Sequence, residues 1–271
     1  MKKITLSLLA VSTLVFGSPF HNADTTDGDT LIINQTVVND VVSDAPKVDF
    51  VSSDKTVGVT AQYIYSNDIS LLNVPVGLNI GSNFGLEVNI PLVSVKVAST
   101  TESGLGDISV GGNFHFGKPW DPSGTNITTL LYKTTTGDKD KVLGSGYEAF
   151  TLSHRITKDI DTRYQVNGLL SYTVNDEMIS GNSYMVMAGG SMPCLFWDKV
   201  KTSAKVTYFG VDAVNGFGEL KSGNLWLSWN SSKIVNGVPL GLGVKIPLLE
   251  EIDGVEKDKT VLFYLSASSF F

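Results

Sequence analysis

The chain has 271 residues, of which 42% are hydrophobic and 17% charged, and its formal net charge is −7. Because nucleic-acid backbones are bound by basic surfaces, this acidic balance argues against a nucleic-acid partner. The single cysteine, Cys194, excludes an internal disulfide, so stability has to come from pairing and packing of the chain.

The N-terminus has the pattern of a secretory signal peptide. Residues 1–17 are MKKITLSLLAVSTLVFG, two lysines followed by an apolar run that is too short to cross a bilayer as a helix. Cleavage after Gly17 or after Ala23 would both suit the sequence. We therefore expect an exported protein.

Residues 18–54 form an acidic segment that is rich in Asp, Thr and Val. Three interpretations are open: a disordered periplasmic leader, a plug that enters the interior of the folded protein, or an extra strand at 30–38. A leader that is partly inserted is the favoured prediction.

From about residue 56 the dominant pattern is a period of two, which predicts strands. In 83–92 the residues Phe84, Leu86 and Val88 alternate with Glu87 and Asn89. Similar segments predict about twelve strands, at 56–65, 70–80, 83–92, 106–116, 125–137, 146–156, 161–173, 183–192, 200–211, 223–230, 237–247 and 260–271.

The pattern of the connections favours a membrane barrel over a soluble sandwich. After the first hairpin long and short connections alternate, as in outer-membrane barrels, although 117–124 is long for a periplasmic turn. The face opposite each apolar stripe is mostly Gly, Ser, Thr and Asn. We predict an all-β protein, a closed antiparallel transmembrane β-barrel over 55–271, located in the outer membrane of a Gram-negative cell.

The last predicted strand ends on the aromatic residue Phe271. In lipid every backbone group must be paired within the protein, so the last strand has to pair with the first. A terminal Phe suits the aromatic girdle at the membrane interface. It also resembles the C-terminal signal that outer-membrane proteins present to the barrel-assembly machinery. We therefore expect two partners of this protein, the assembly machinery and the membrane lipid.

Polar and charged residues on the faces opposite the apolar stripes are predicted to line the lumen. Lys or Arg on the lipid face near the midplane would cost about 2–4 kcal/mol, so these side chains should point inward. They could form a conduction path or a salt-bridged plug. For Asp107 two interpretations are open: it binds loop amides or it faces the lumen. The predicted lumen-lining residues are Glu87, Asn89, Asp107, Asn113, His115, Arg163, Gln165, Lys205 and Lys245.

No catalytic or metal-binding pattern is evident in the sequence. His154 follows Ser153, but neighbours on a strand point to opposite faces, so they cannot form a nucleophile–base pair. His115 shares a face with Asn113 and Asp107, at spacings too long for direct contact of short side chains. Paired histidines, cysteine clusters and acidic calcium loops are absent. We predict a protein that is not an enzyme and has no cofactor.

Two glycine-rich stretches carry a family resemblance. In 103–116, SGLGDISVGGNFHF, Gly104, Gly106 and Asp107 precede a strand; in 131–152, LYKTTTGDKDKVLGSGYEAFTL, a lysine strand end leads into 136–138 and 144–146. These motifs resemble the "MetA-pathway of phenol degradation" family of outer-membrane transporters. The resemblance covers roughly 55–271, and it departs at Thr135, where that family commonly has proline. It implies a channel-like barrel that admits hydrophobic or aromatic compounds.

The sequence thus predicts a channel for passive uptake of small solutes, among them hydrophobic or aromatic compounds. It is passive because no nucleotide-binding motif is present. A non-catalytic structural or surface-interaction barrel is the alternative, and a lipid-active barrel enzyme is the third possibility.

Overall fold

The computed structural model describes residues 57–65, 69–80, 83–97, 100–116, 124–141, 143–161, 163–175, 181–196, 200–213, 219–235, 238–256 and 259–270. The predicted signal peptide at 1–17, the predicted leader or plug at 18–54, and Phe271 with its predicted role in assembly lie outside these residues. Within them, no helix is long and apolar enough to cross a bilayer.

The described chain is almost entirely β-strand. The barrel wall consists of β1 (Val57–Tyr65), β2 (Ile69–Ile80), β3 (Phe84–Val97), β5 (Ser109–Phe116), β6 (Gly124–Lys133), β7 (Ala149–Asp159), β8 (Gln165–Asn175), β9 (Ser183–Pro193), β10 (Val200–Val211), β11 (Leu220–Val235), β12 (Val238–Ile252) and β14 (Leu262–Phe270). Two short strands extend it at one end: β4 (Thr100–Leu105) pairs with β3, and β13 (Val255–Glu256) pairs with β12.

The sheet closes on itself. Each wall strand pairs antiparallel with its neighbour in the chain, and β1 pairs with β14 from Gly58 opposite Phe270 to Tyr65 opposite Phe263. The ring is completed by the pairs β11–β12 and β12–β14. The predicted closed antiparallel barrel of twelve strands is therefore confirmed.

The outer surface is apolar and much of the inner surface is polar, as predicted. Leu170 is 60% exposed and Phe263 57%, whereas Glu87 is 4% exposed and Asn73 1%. The exposed apolar residues recur on every second position of successive strands, for example Phe84, Leu86 and Leu92 of β3. A soluble protein would bury these stripes, so their exposure on a closed barrel is typical of a surface that faces lipid.

Two connections predicted as loops contain strand. In 93–105, β3 continues to Val97 and pairs with β4; in 248–259, β12 continues to Ile252. The extension of β3 to Val97 was not predicted because the apolar residues move from the outward to the inward positions of the strand. The apolar residues of β3 point outward up to Leu92, whereas Val93 and Val95 are buried.

One long connection folds into the barrel instead of projecting from it. The predicted strand 125–137 is too long, since β6 ends at Lys133, and the predicted strand 146–156 is displaced by three residues, since β7 runs from Ala149 to Asp159. The segment between them, 134–148, includes a 3-10 turn at Lys139–Lys141. We call the end of the barrel that carries this segment the loop end, and the opposite end, which carries 160–164, the turn end.

Two apolar clusters fill parts of the interior. The first, which we call the mouth cluster, contains Leu143 of segment 134–148 and strand residues close to the loop end: Ile64, Leu71, Val93, Val95, Trp226, Leu262 and Tyr264. The second, the side cluster, consists of Leu169, Met185, Met187, Phe209, Leu220 and Ile252. The interior is thus not uniformly hydrophilic.

Candidate functional site: the barrel cavity

A cavity of about 110 Å³ lies inside the barrel and is lined by the inner faces of β1–β3 and β5–β10. Its β1–β3 wall is rich in buried amides, including Gln62, Asn73 and Asn89. Asn73 Nδ2 donates to Gln62 Oε1 at 3.3 Å, while Asn73 Oδ1 has no partner among the described protein atoms. That oxygen can accept a hydrogen bond from a solute in the cavity.

A hydrogen-bonded network built around Glu87 crosses from β3 to β6. Asn89 Nδ2 donates to Glu87 Oε1 at 2.9 Å, and Asn113 Nδ2 donates to Glu87 Oε2 at 3.1 Å. Thr129 Oγ1 donates to Asn113 Oδ1 at 2.6 Å. Buried polar groups that satisfy one another in this way fix the side chains and hold the wall rigid.

Four of the predicted lumen residues line this cavity: Glu87, Asn89, Asn113 and His115. They come from β3 and β5, at positions where the strand alternation turns polar side chains inward. Their part in solute passage stays a prediction.

Two further predicted residues lie at the turn end, away from the cavity lining. Arg163 is exposed in the turn 160–164, because β8 begins at Gln165 and not at 161 as predicted. Asp161 Oδ1 accepts hydrogen bonds from the backbone N–H of Arg163 (2.6 Å) and Tyr164 (2.9 Å), which lower the pKa of the Asp161 carboxyl and stabilise the turn. Gln165 donates to Asp159 Oδ1 at 2.9 Å.

The two lysines among the predicted lumen residues, Lys205 and Lys245, lie in the interior on β10 and β12, outside the cavity lining. Lys245 of β12 is 5% exposed and its Nζ lies 5.5 Å from the ring centre of Trp226, in the filled part of the barrel. Lys205 of β10 is partly buried and lies opposite Gly189 and Trp226. Neither residue belongs to the cavity lining.

The cavity contains basic and apolar residues that the sequence analysis did not select. Lys133 and Arg155 line it from β6 and β7, and Leu169, Met185 and Phe209 line it from β8–β10. The signal for Arg155 was present, because Thr151, Ser153 and Arg155 share the inward face of β7. The predicted strand 146–156 ended one residue after Arg155, so Arg155 was treated as the end of a strand and not as a lumen residue.

Asp107, whose side chain is 8% exposed, is an anchor for segment 134–148 and lies outside the cavity lining. Its Oδ1 accepts from Gly137 N at 2.9 Å, and its Oδ2 accepts from Ser145 N and Ser145 Oγ, each at 2.6 Å. Lys133 Nζ lies 3.8 Å from Asp107 Oδ2, contacts Ser145 Oγ, and lies 3.9 Å from the ring centre of Tyr147. We call these five residues the Asp107 clasp. Of the two interpretations open for Asp107, the structure supports the binding of loop amides.

The glycine motifs surround the clasp because side chains would not fit there. A Cβ on Gly144 would lie 2.5 Å from Asp107 Oδ1 and 2.7 Å from Gly137 Cα. Gly146 has a positive φ of 74°, which favours glycine. The two stretches that carry the family resemblance are therefore packed against each other in the folded protein.

We expect Gly144→Ala to release segment 134–148, because the added methyl group would displace the Asp107 carboxylate or the backbone at Gly137. Limited trypsin digestion at Lys139 and Lys141 should become faster. Gly168→Ala is the control, since its Cβ would have 3.7 Å to the nearest atom. Equal digestion of the two variants would contradict this packing argument.

His154 is on the outer face of the barrel. Its Nδ1 lies 2.9 Å from Thr128 Oγ1 on the neighbouring strand, and its ring centre is 6.2 Å from that of Phe116. This pairing gives a polar side chain in the apolar belt a hydrogen-bond partner. The described residues contain no cluster of three or more His, Cys, Asp or Glu that could hold a metal ion.

Comparison with known proteins gives the fold. No family model and no curated protein sequence matches the chain. Similar solved structures include an outer-membrane channel from Pseudomonas putida F1 (TM-score 0.64, 12% identity, 84% of this chain and 100% of that chain) and the NanC porin (0.53, 8%, 79% and 99%). The translocator domain of the autotransporter NalP from Neisseria meningitidis is also similar (0.53, 11%, 90% and 98%).

At these identities the likeness is one of fold, and the three proteins include a channel, a porin and a translocator domain, so the fold alone does not give the function. A closed barrel of this fold with an apolar belt is an outer-membrane protein. The predicted location is confirmed.

Proposed function

We propose that the protein is a passive channel that admits small solutes through the barrel. One observation carries the proposal: a cavity of about 110 Å³, with buried amides and hydroxyls along one wall, lies inside a closed barrel whose outer surface is apolar. An interior of amides and hydroxyls offers water and solutes the hydrogen bonds that lipid does not. The channels and porins among the similar structures support the same role.

We also propose that hydrophobic or aromatic compounds are among the solutes. The support is the apolar side of the cavity, where Leu169, Met185 and Phe209 face the polar wall. Sites that bind such compounds combine apolar walls with a few polar groups that fix the orientation. The resemblance of the glycine motifs to the phenol-degradation transporter family points in the same direction.

The test is reconstitution of the refolded full mature protein in planar bilayers and liposomes. We expect discrete conductance steps and faster uptake of a small aromatic solute than of a sugar of similar size. If neither ions nor solutes pass, the channel proposal is wrong and the structural or surface-interaction alternative gains. That alternative has one observation in its favour, the mouth cluster that fills the interior near the loop end.

A lipid-active enzyme is the third candidate, and the Thr128–His154 pair is the observation that favours it. A hydroxyl and an imidazole in contact on the lipid-facing wall could act as nucleophile and base. Among the described residues, however, no hydrogen bond is made to His154 Nε2 that would orient the ring. Release of fatty acid from phospholipid vesicles that is lost in His154→Ala would favour the enzyme over the channel.

A further inference from the structure

The charged side chains that line the cavity differ in whether they have partners within the protein. Of the described lining residues, Glu87 is the one carboxylate, and it already accepts hydrogen bonds from Asn89 and Asn113. Lys133 is held by the Asp107 clasp. Arg155 takes part in none of the ion pairs among the described residues. Its positive charge is therefore available to a solute.

Apolar side chains flank Arg155 on both neighbouring strands. The cross-strand partners of Arg155 are Ile127 on β6 and Leu169 on β8, and the partner of Leu169 on the next strand is Met187. Directly opposed side chains in a sheet have Cβ atoms about 5 Å apart. Ile127 and Leu169 thus place apolar side chains on both sides of the base of the Arg155 side chain, so a solute at the guanidinium group meets apolar neighbours.

The geometry points to a ligand with two parts. A guanidinium group presents a planar fork of donors that matches a carboxylate, and it binds this group better than a neutral one. Beside it, Leu169, Met185 and Phe209 provide an apolar surface along the cavity wall. A small solute can contact both at once only if a carboxylate is joined to an apolar body.

We propose that Arg155 is the solute-selecting residue of the cavity and that the preferred solutes are small organic monocarboxylates with an apolar body. This inference rests on the proposed channel function and narrows its substrate class. Arginine and lysine in the wall of a pore are a common source of anion selectivity. The net charge of −7 of the whole chain gives no hint of it, because selectivity depends on the residues that face the solute.

The test uses the full mature protein in planar bilayers under a KCl gradient, with three probes: cyclohexanecarboxylate, its neutral amide, and acetate. The wild type should favour chloride over potassium, and cyclohexanecarboxylate should block the current at a lower concentration than acetate, whereas the amide should not block. Arg155→Gln should raise the half-blocking concentration at least about tenfold, the size expected for loss of one charge-assisted hydrogen bond. Arg155→Lys should keep the chloride preference and bind the carboxylate more weakly.

Arg163→Gln is the matched control, because Arg163 is exposed in a turn outside the cavity lining. It should leave the block unchanged. The wild-type comparison of carboxylate with amide needs no variant, so it tests the preferred solute class even if Arg155→Gln does not fold, and Arg155→Lys then tests the residue. Block by the amide at the same concentration, or unchanged block in Arg155→Gln, would overturn the inference. Absence of any wild-type current would instead contradict the channel function itself.

Discussion

Asp107→Asn should release segment 134–148 from the interior and raise the single-channel conductance. The carboxylate accepts three hydrogen bonds from Gly137 and Ser145 and lies beside Lys133 with little exposure to water. Removing one partner of a buried ion pair costs about 3–5 kcal/mol, because the other charge stays buried without its partner. Once the clasp opens, Leu143 is no longer held in the mouth cluster.

Trypsin digestion at Lys139 and Lys141 provides a second measurement. A loss of 3 kcal/mol should speed cleavage roughly 100-fold, if cleavage follows local opening of the segment. Asp138→Asn is the control, since Asp138 belongs to the same segment but its carboxylate makes exposed contacts, an ion pair with Lys141 at 3.5 Å and a hydrogen bond from Asp140 N at 3.1 Å. Equal conductance and equal cleavage in the two variants would show that the clasp does not hold the segment.

Leu170→Arg should strongly destabilise the barrel in a lipid bilayer. Leu170 is 60% exposed in the apolar belt, and an arginine on the lipid face near the midplane costs about 2–4 kcal/mol. The measurement is the free energy of unfolding by urea in phospholipid vesicles. The folded fraction at each urea concentration is read from the heat-dependent migration of the barrel on gels.

Ser171→Arg tests the opposite face with the same change at the next residue. Ser171 lines the cavity, so the new side chain should reach water inside the barrel and leave the stability within about 1 kcal/mol of the wild type. It should instead reduce the conductance by narrowing the cavity. A stability loss at Ser171 as large as that at Leu170 would contradict the assignment of the inner and outer faces.

The barrel was predictable because lipid and water on opposite sides of one wall impose a period of two on every strand. In 83–92, the exposed Phe84, Leu86 and Leu92 alternate with the buried Glu87 and Asn89, in the phase that the sequence shows. The pattern fails near the loop end, where Val93 and Val95 turn apolar side chains inward. When the apolar residues switch from the outward to the inward positions, the alternation in the sequence breaks and suggests the end of a strand, although the backbone pairing continues.

The cavity was only partly predictable, for a different physical reason. Alternation tells which face a residue lies on, and it identified Glu87, Asn89, Asn113 and His115. It does not tell where strands end, so Arg163 was counted as a strand residue and Arg155 was passed over. The clasp depends on contacts between segments some 30 residues apart, such as Gly137 N with Asp107, which no local pattern encodes.

Closure of the wall has a consequence for how the protein is made. Gly58 is paired with Phe270, so the first described strand cannot complete its backbone hydrogen bonds until the last one has been synthesised. Contacts of such high sequence separation slow folding, because the entropy of the intervening chain is lost before the contact forms. Until β1 and β14 have paired, each exposes a free edge that could pair with other chains. Premature release or truncation should therefore yield aggregates rather than a smaller pore.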